Sequence, residues 1–198
     1  MRERILEAAL KLLHDKGPGA LSIRAIADRV GVSHMVLYTY FENRATLIAE
    51  LRQRQRQRMQ AWHEELLDRA ETGDVRAVLR ESLAHYVHVA SSRPNMYRFQ
   101  WVLPLAESDC PTRPCKWLEV HLRYLARLVE IGIRRGACVV EDPLVAAVTA
   151  CGIVNAPLIL YHSGRLASSE LRDKIVEEAL RAAMEYLCGK TDTPEERR

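Results

Sequence analysis

Helical periodicity dominates this sequence. Apolar residues recur every three or four positions over almost the whole chain, while the strict alternation of apolar and polar residues that marks a half-buried strand is nearly absent. The chain has 198 residues, of which 48% are hydrophobic and 28% are charged, so it can close a sizeable core. The pattern therefore predicts an all-α protein.

Turn and capping residues divide the pattern into helices. The first helix should end at the Lys-Gly-Pro-Gly segment 16–19, and Ser22 and Gly31 should cap the two ends of a short second helix. Ser33 should cap the third helix, and Asn43 should begin a long fourth helix that ends before Gly73. Further helices are predicted at about 75–91, 95–106, 114–135, 143–163 and 169–188.

Residues 21–41 have the spacing of a helix-turn-helix. Small Ala27 suits a close helix crossing, Gly31 can adopt the left-handed turn conformation, and Leu37 can fill the core beneath the second helix. This spacing favours a unit whose second helix enters the DNA major groove. On the spacing alone, an ordinary helical hairpin with a glycine turn remains an alternative.

A motif at the end of this segment resembles the signature of the tetracycline-repressor (TetR/AcrR) family of bacterial transcription regulators. The motif is Val32-Ser33-x-x-x-Leu37-Tyr38-x-Tyr40-Phe41-x-x-Arg44-x-x-Leu47. The resemblance runs from about residue 5 to residue 51 and is detailed over 20–47. It implies a helix-turn-helix DNA-binding domain at 1–50, a helical effector-binding and dimerisation domain at 51–188 and a flexible tail at 189–198.

The resemblance also implies which residues contact double-stranded DNA. Leu37 and Phe41 should face the core, while Tyr38, Tyr40 and Arg44 should hold phosphates and so fix the register. Base reading is expected from the front of the third helix and from Arg24. The sequence departs from the family pattern at four positions, Met35, Val36, Tyr40 and Arg44. These departures leave the operator sequence open. The predicted contacts are Ser22, Arg24, Ser33, His34, Met35, Val36, Tyr38, Thr39, Tyr40 and Arg44.

By the same resemblance, the second domain should bind a small apolar or aromatic effector and form a homodimer through the last two helices. Each apolar stripe could instead be monomer core, and for any single pocket residue a packing role is the alternative. The pocket candidates are Tyr86, Met96, Tyr97, Phe99, Trp101, Trp117, His121, Tyr124 and Asn155. The dimer stripes are Leu144, Val145, Ala147, Val148, Cys151 and Leu158, then Leu171, Ile175, Ala179, Ala182, Ala183 and Leu187.

Basic charge is concentrated in the first third of the chain. Residues 1–58 hold 11 Lys and Arg against 6 Asp and Glu, a net charge of +5, while the remainder holds 18 against 20, a net charge of −2. A basic N-terminal segment suits a polyanionic partner. The run from Arg52 to Arg58 distributes its arginines around a helix, so it is interpreted as a solvated face, with long-range attraction of DNA as the alternative.

Other functional classes find little support in the sequence. It contains no phosphate-binding glycine loop, nucleophile elbow or H-E-x-x-H motif, so we expect no enzyme, no catalytic residue and no cofactor. A metal- or thiol-responsive regulator is the alternative, with Cys110, Cys115 and His121 as loosely spaced ligands. Five irregularly spaced cysteines and a charged N-terminus predict a cytoplasmic protein without a membrane partner. The family resemblance implies a bacterial protein at the nucleoid. The prediction is a ligand-released repressor.

Overall fold

The computed structural model describes residues 1–102 and 116–190, without the side chains of Arg56 and of residues 116–121. Helices and turns make up these ranges, which contain no strand, so the all-α prediction is confirmed. The helices are α1 (Arg2–Lys16), α2 (Ile23–Val30), α3 (His34–Tyr38), α4 (Arg44–Thr72), α5 (Val75–Ser92), α6 (Pro94–Tyr97), α7 (Lys116–Arg134), α8 (Pro143–His162) and α9 (Ser169–Cys188). A single 3-10 turn follows α1, and a π-helical turn, Arg98–Val102, follows α6.

Most predicted caps form as expected. The Ser22 hydroxyl accepts a hydrogen bond from the Ala25 amide at 3.1 Å, and the Asn43 side chain accepts one from the Thr46 amide at 2.9 Å. Gly31 ends α2 in the left-handed conformation, with φ 78° and ψ 38°. Ser33 occupies the N-cap position of α3, but its side chain makes no capping hydrogen bond. The predicted helix at 95–106 is α6 and the π-helical turn as far as residue 102, and the rest of it lies outside the described residues.

Replacing Ser22 with alanine should destabilise the fold by about 1 kcal/mol, because α2 would lose the acceptor for an otherwise unbonded amide. The measurement is the denaturant midpoint of the variant against that of the unchanged chain. Ser33→Ala is the matched control, since its hydroxyl makes no such bond, and it should leave the midpoint nearly unchanged. Equal losses in the two variants would contradict the capping role.

Residues 1–60 and 89–102 belong to one compact unit. Its core lies among α1, α2, α3 and the first turns of α4, and it includes Phe99 from the segment after α6. The Asn95 side-chain amide donates to the His14 carbonyl at 2.9 Å and ties α6 to α1. The fully or almost fully buried side chains of this core include Ile5, Leu6, Leu13, Leu21, Ile26, Leu37, Phe41, Leu47, Ile48, Leu51 and Phe99.

Residues 61–88 and 117–190 belong to the second compact unit. In it, α8 and α9 pack along each other, and each begins at a side-chain cap, Asp142 for α8 and Ser168 for α9. This division by packing differs from the predicted one in giving residues 51–60 and 89–102 to the first unit. The functional boundary at residue 50 stays a prediction. Residues 191–198, most of the predicted tail, lie outside the described residues.

Candidate nucleic-acid interface and effector region

The helix-turn-helix is fixed from beneath by small and apolar side chains. Ala27 is 2% exposed, and its carbonyl accepts hydrogen bonds from the Gly31 amide at 2.9 Å and the Val32 amide at 3.1 Å. Leu37 and Phe41 are buried, as predicted, because they lie about one turn apart on the side of the chain that faces the core. This packing holds α3 with its other side outward.

The predicted DNA contacts lie on the outward side. Of the ten, nine side chains are exposed and Val36 is half-buried. Met35 is 63% exposed, Tyr38 48% and Tyr40 37%, large values for apolar and aromatic side chains in a packed helical unit. The Thr39 hydroxyl donates to the Val36 carbonyl at 2.7 Å, so this side chain offers its methyl group to a partner. The assignment of DNA contacts to these residues remains a prediction.

Arg44 has a structural role that the sequence did not predict. Its Nε donates to the Leu21 carbonyl at 2.7 Å and thereby links the start of α4 to the residue before the α2 cap. A guanidinium group carries five N–H donors, so this bond leaves both terminal nitrogens available for a phosphate. Arg44 can therefore hold the domain together and contact DNA at the same time.

Arg2 is a positioning residue that sequence reasoning missed. Its Nη1 donates to the Tyr40 carbonyl at 2.9 Å, its Nε donates to Glu50 at 2.9 Å, and its guanidinium lies 4.7 Å from the centre of the Phe41 ring. These contacts fix the turn between α3 and α4, where Tyr40, one of the predicted phosphate contacts, lies. They join residues 38 to 48 positions apart, so no local pattern could have indicated them.

The interpretation of the arginine run as a solvated face is wrong for its first members. Arg52 is only 3% exposed, with its guanidinium 5.1 Å from the centre of the Phe99 ring and its Nη2 donating to the Phe99 carbonyl at 3.3 Å. Arg54 forms an ion pair with Glu3. Phe99 covers one side of α4 and α1 covers another, so both arginines are used within the first unit. Arg58 is exposed, as predicted.

Four aromatic rings from three helices meet in the second unit. The rings of His63 and Tyr124 stack with centroids 4.2 Å apart, and the Trp62 ring lies 4.3 Å from His85 and 5.2 Å from His63. Tyr124 was a predicted pocket residue, whereas the other three were missed. The adjacent pairs Trp62-His63 and His85-Tyr86 were the available signal in the sequence. We call Trp62, His63, His85 and Tyr124 the aromatic cluster.

Two more pocket candidates lie together in this unit. Asn155 is 2% exposed and donates through Nδ2 to the Cys151 carbonyl at 3.0 Å and to the Cys151 Sγ at 3.3 Å. Burial raises the pKa of the Cys151 thiol to about 11, although hydrogen bonds from Tyr86 and Asn155 oppose that rise. Tyr86, Cys151 and Asn155 therefore form a buried polar group within an otherwise apolar core.

Four of the remaining pocket candidates lie in the first unit, and the side chains of the other two are not described. Phe99 is buried in the core of the first unit and Met96 packs against that core, which favours the packing alternative for both. Tyr97 is also fully buried in the first unit, and Trp101 is half-buried. The side chains of Trp117 and His121 lie outside the described residues, as do Cys110 and Cys115, so the structure does not describe the ligands of the metal-responsive alternative.

Acid should destabilise the chain through His63. Burial lowers the pKa of this imidazole from its ordinary 6.5 to about 4, with a smaller effect from His85. The unfolded chain takes up a proton below pH 6.5 that the folded chain refuses until about pH 4, so folding stability should fall as the pH drops through this window. In a plot of the denaturant midpoint against pH, His63→Gln should reduce the slope between about pH 6.5 and pH 4.

The matched control is His14→Gln, at an exposed histidine outside the second unit. It should retain the acid sensitivity of the unchanged chain. Parallel curves for His63→Gln and the unchanged chain would show that His63 is not buried in its neutral form.

Comparison with known proteins identifies the first unit. A family model described as bacterial regulatory proteins of the tetR family matches residues 5–51, the range of the helix-turn-helix and its supporting helices. Residues 5–51 belong to the tetracycline-repressor family. The class C tetracycline repressor of Escherichia coli is 40% identical over 50 residues, a match that covers 25% of this chain and 23% of that repressor. The curated relative thus supports the DNA-binding segment alone.

Solved structures extend the likeness in fold to most of the chain. A regulator from Saccharomonospora viridis crystallised with choline is 17% identical, with a TM-score of 0.67, and the match covers 96% of this chain and 98% of that one. FadR from Bacillus subtilis crystallised with stearoyl-CoA is 17% identical, with a TM-score of 0.63, and the match covers 91% and 98%. At such low identity these likenesses show a shared fold.

The predicted dimer stripes divide into a buried side and an exposed side. About half of their members are buried in the monomer, among them Ala147, Cys151, Leu158, Ala183 and Leu187. Five others are exposed and Ala182 is half-buried, because each stripe spans more than one face of its helix. The exposed large apolar side chains on these helices are Leu144, Val145, Val148 and Leu160 on α8, and Leu171, Ile175 and Tyr186 on α9.

The exposed residues of α8 follow one helical face. Val145, Val148, Gly152 and Ala156 are spaced by three or four residues, and none of them is charged. A β-carbon at Gly152 would meet no atom within 4 Å, so this glycine does not serve the packing of the monomer. By length and apolarity α8 could cross a membrane, with a mean hydropathy of 2.0, but 44% of that stretch is buried inside the protein. We call the exposed apolar residues of α8 and α9 the α8/α9 face.

Proposed function

We propose that this chain is a homodimeric transcription repressor that binds a palindromic operator and is released from it by a small molecule. The observation that carries the proposal is α3, which is packed from below by Leu37 and Phe41 and presents Met35 and Tyr38 outward. Such a helix can enter the major groove and place these side chains against base edges and phosphates. Membership of residues 5–51 in a family of bacterial regulators supports the same function and a cytoplasmic location at the nucleoid.

A dimer is needed because one short recognition helix reads too few bases to specify an operator. Two symmetric copies must place their recognition helices about 34–36 Å apart, or a multiple of that spacing, to enter successive major grooves. The α8/α9 face suits such a pairing. It is exposed, uncharged along α8, and has Gly152 and Ala156 where two helices could approach closely.

The long helix α4 is proposed to couple effector binding to DNA release. It begins with Arg44, a predicted phosphate contact, and continues to Trp62 and His63 in the aromatic cluster. A ligand that binds one arrangement of this helix better than another shifts the population towards that arrangement. A shift of Arg44 and of the linked Leu21 carbonyl would then move the DNA-binding side chains.

The effector is proposed to be apolar or aromatic. The rings of the aromatic cluster and the buried Tyr86 and Asn155 offer apolar faces beside a few polar groups, the usual composition of a ligand site. The two solved neighbours hold chemically different ligands, choline and stearoyl-CoA, so their likeness does not select an effector. A thermal-shift screen of small apolar and aromatic compounds should find a ligand that raises the melting temperature.

The proposed function is tested with a reporter gene. DNA sites selected by the purified protein from random sequence are placed beside a promoter, and expression is measured with and without the protein. A repressor should lower expression, and a compound from the thermal-shift screen should restore it. Raised expression in the presence of the protein would indicate an activator, and unchanged expression would contradict regulation from that site.

A further inference from the structure

Two buried cysteines of the second unit are in contact. Cys138 lies in the loop between α7 and α8, and Cys188 is the last residue of α9. Their sulfur atoms are 3.8 Å apart, and the side chains are 7% and 3% exposed. A disulfide has sulfurs about 2.05 Å apart, so the two sulfur atoms need to approach each other by less than about 2 Å. Fifty positions separate them in the sequence, and the proposed function does not use the contact.

The backbone around this pair holds the two sulfurs together. The Val139 amide donates to the Leu187 carbonyl at 2.9 Å, and the Cys138 amide donates to the Gly132 carbonyl at 3.1 Å. Gly132 also leaves room for the sulfur, because a β-carbon there would lie 2.4 Å from the Cys138 Sγ. The contact is therefore part of the packing of the loop against the end of α9.

The two thiols differ in acidity. The hydrogen bond from Cys138 lowers the pKa of Cys188, the positive charge of Arg76 adds to this, and burial and the Asp74 carboxylate oppose it. The same bond and burial raise the pKa of Cys138, which is therefore the thiol that donates to the Cys188 thiolate. Arg76 is held in place by a 2.7 Å hydrogen bond from its Nη2 to the Cys188 carbonyl. Cys188 has the properties of an attacking thiolate and Cys138 those of a resolving thiol.

We propose that Cys138 and Cys188 are a reversible redox site that a hydroperoxide converts to a disulfide. The Cys188 thiolate attacks one oxygen of hydrogen peroxide, the O–O bond breaks, and the departing hydroxide takes up a proton and leaves as water, with a sulfenic acid on Cys188. The Cys138 sulfur then attacks the Cys188 sulfur, the S–O bond breaks, and the hydroxide takes the Cys138 proton and leaves as a second water. Two thiols are oxidised by two electrons in total, and one peroxide is reduced to two waters. A dithiol reductant reverses the step.

The test uses the full chain treated with hydrogen peroxide and then alkylated. Cleavage with trypsin and a glutamate-specific protease separates the cysteines, leaving Cys138 in peptide 136–141 and Cys188 in peptide 186–190. We expect mass spectrometry to detect these two peptides joined and 2 hydrogen masses lighter than their sum, and to find them separate after reduction with dithiothreitol. Oxidation should also raise the melting temperature, because the bond restrains the unfolded chain.

Variants test the roles of the partners. Cys138→Ser and Cys188→Ser should each abolish the linked peptide, while Cys151→Ser should not, since burial raises the pKa of that thiol to about 11 and its neighbour is Asn155. Arg76→Gln should slow formation of the linkage several-fold at pH 7 by removing a charge that favours the thiolate.

Oxidation confined to other cysteines, or no linked peptide at peroxide concentrations that oxidise Cys110 or Cys115, would overturn the proposal. The result does not depend on DNA binding, so it fails or succeeds separately from the proposed function.

Discussion

Val148→Asp should convert the proposed dimer to monomers and reduce operator affinity by about 100-fold or more, since a single recognition helix loses the second half-site. Val148 is 45% exposed on α8, so the monomer can accept a carboxylate there. In the proposed dimer the same position is buried against a second copy, and symmetry places two carboxylates in an apolar interface without partners, which is strongly unfavourable. The molar mass from light scattering and a gel shift with a selected operator are the two measurements.

The same substitution at Val139 is the control. Val139 is 67% exposed in the loop before α8 and lies outside the α8/α9 face, so Val139→Asp introduces an equal charge elsewhere on the second unit. It should leave both the mass and the operator affinity close to those of the unchanged chain. A Val148→Asp protein that remains dimeric would show that the α8/α9 face is not the dimer interface.

Tyr38→Phe should weaken operator binding by about 100-fold or more. The phenol hydroxyl is proposed to donate to a phosphate, and a hydrogen bond to a charged group contributes about 1.5–3 kcal/mol, which counts twice in a symmetric dimer. The ring is retained and Tyr38 is 48% exposed, so folding should be unaffected. The measurement is the affinity for the operator and for unrelated DNA at one salt concentration, and both should fall, because a phosphate contact carries no sequence information.

Tyr161→Phe is the matched control for this prediction. Tyr161 is half-buried near the end of α8 with the Arg172 guanidinium 4.3 Å from the centre of its ring, lies outside the α8/α9 face, and loses the same hydroxyl. Its operator affinity should match that of the unchanged chain. If Tyr38→Phe also binds within about twofold of the unchanged chain, the assignment of Tyr38 to a phosphate is contradicted.

The sequence was sufficient to predict the helix-turn-helix because its signals are local. Ser22 bonds to an amide three residues away, Gly31 adopts the conformation that its missing β-carbon allows, and Asn43 caps the helix that follows it. Leu37 and Phe41 are predicted to be buried by helical spacing alone, and they are. Each of these features depends on residues within about one turn of each other, which a single sequence displays directly.

The sequence could not indicate contacts between distant positions. Arg52 is buried because Phe99, 47 positions later, covers it, whereas its own neighbours predicted a solvated face. The aromatic cluster joins α4, α5 and α7, and the pair Cys138 and Cys188 joins a loop to the end of α9. On α8, periodicity detects an apolar helix but does not say which side faces the monomer core and which side remains exposed, since both are apolar.

Selection of bound sequences from random DNA by the purified protein tests whether the chain recognises an operator as a symmetric dimer. We expect a palindromic site whose two half-sites are about 10–10.5 base pairs apart from centre to centre, or a multiple of that, because two identical α3 helices must enter major grooves on one side of the duplex. Enrichment of such a site, lost in the Val148→Asp protein, would support a dimeric operator-binding regulator. Recovery of unrelated sequences, or of a single half-site bound equally well by both proteins, would contradict it.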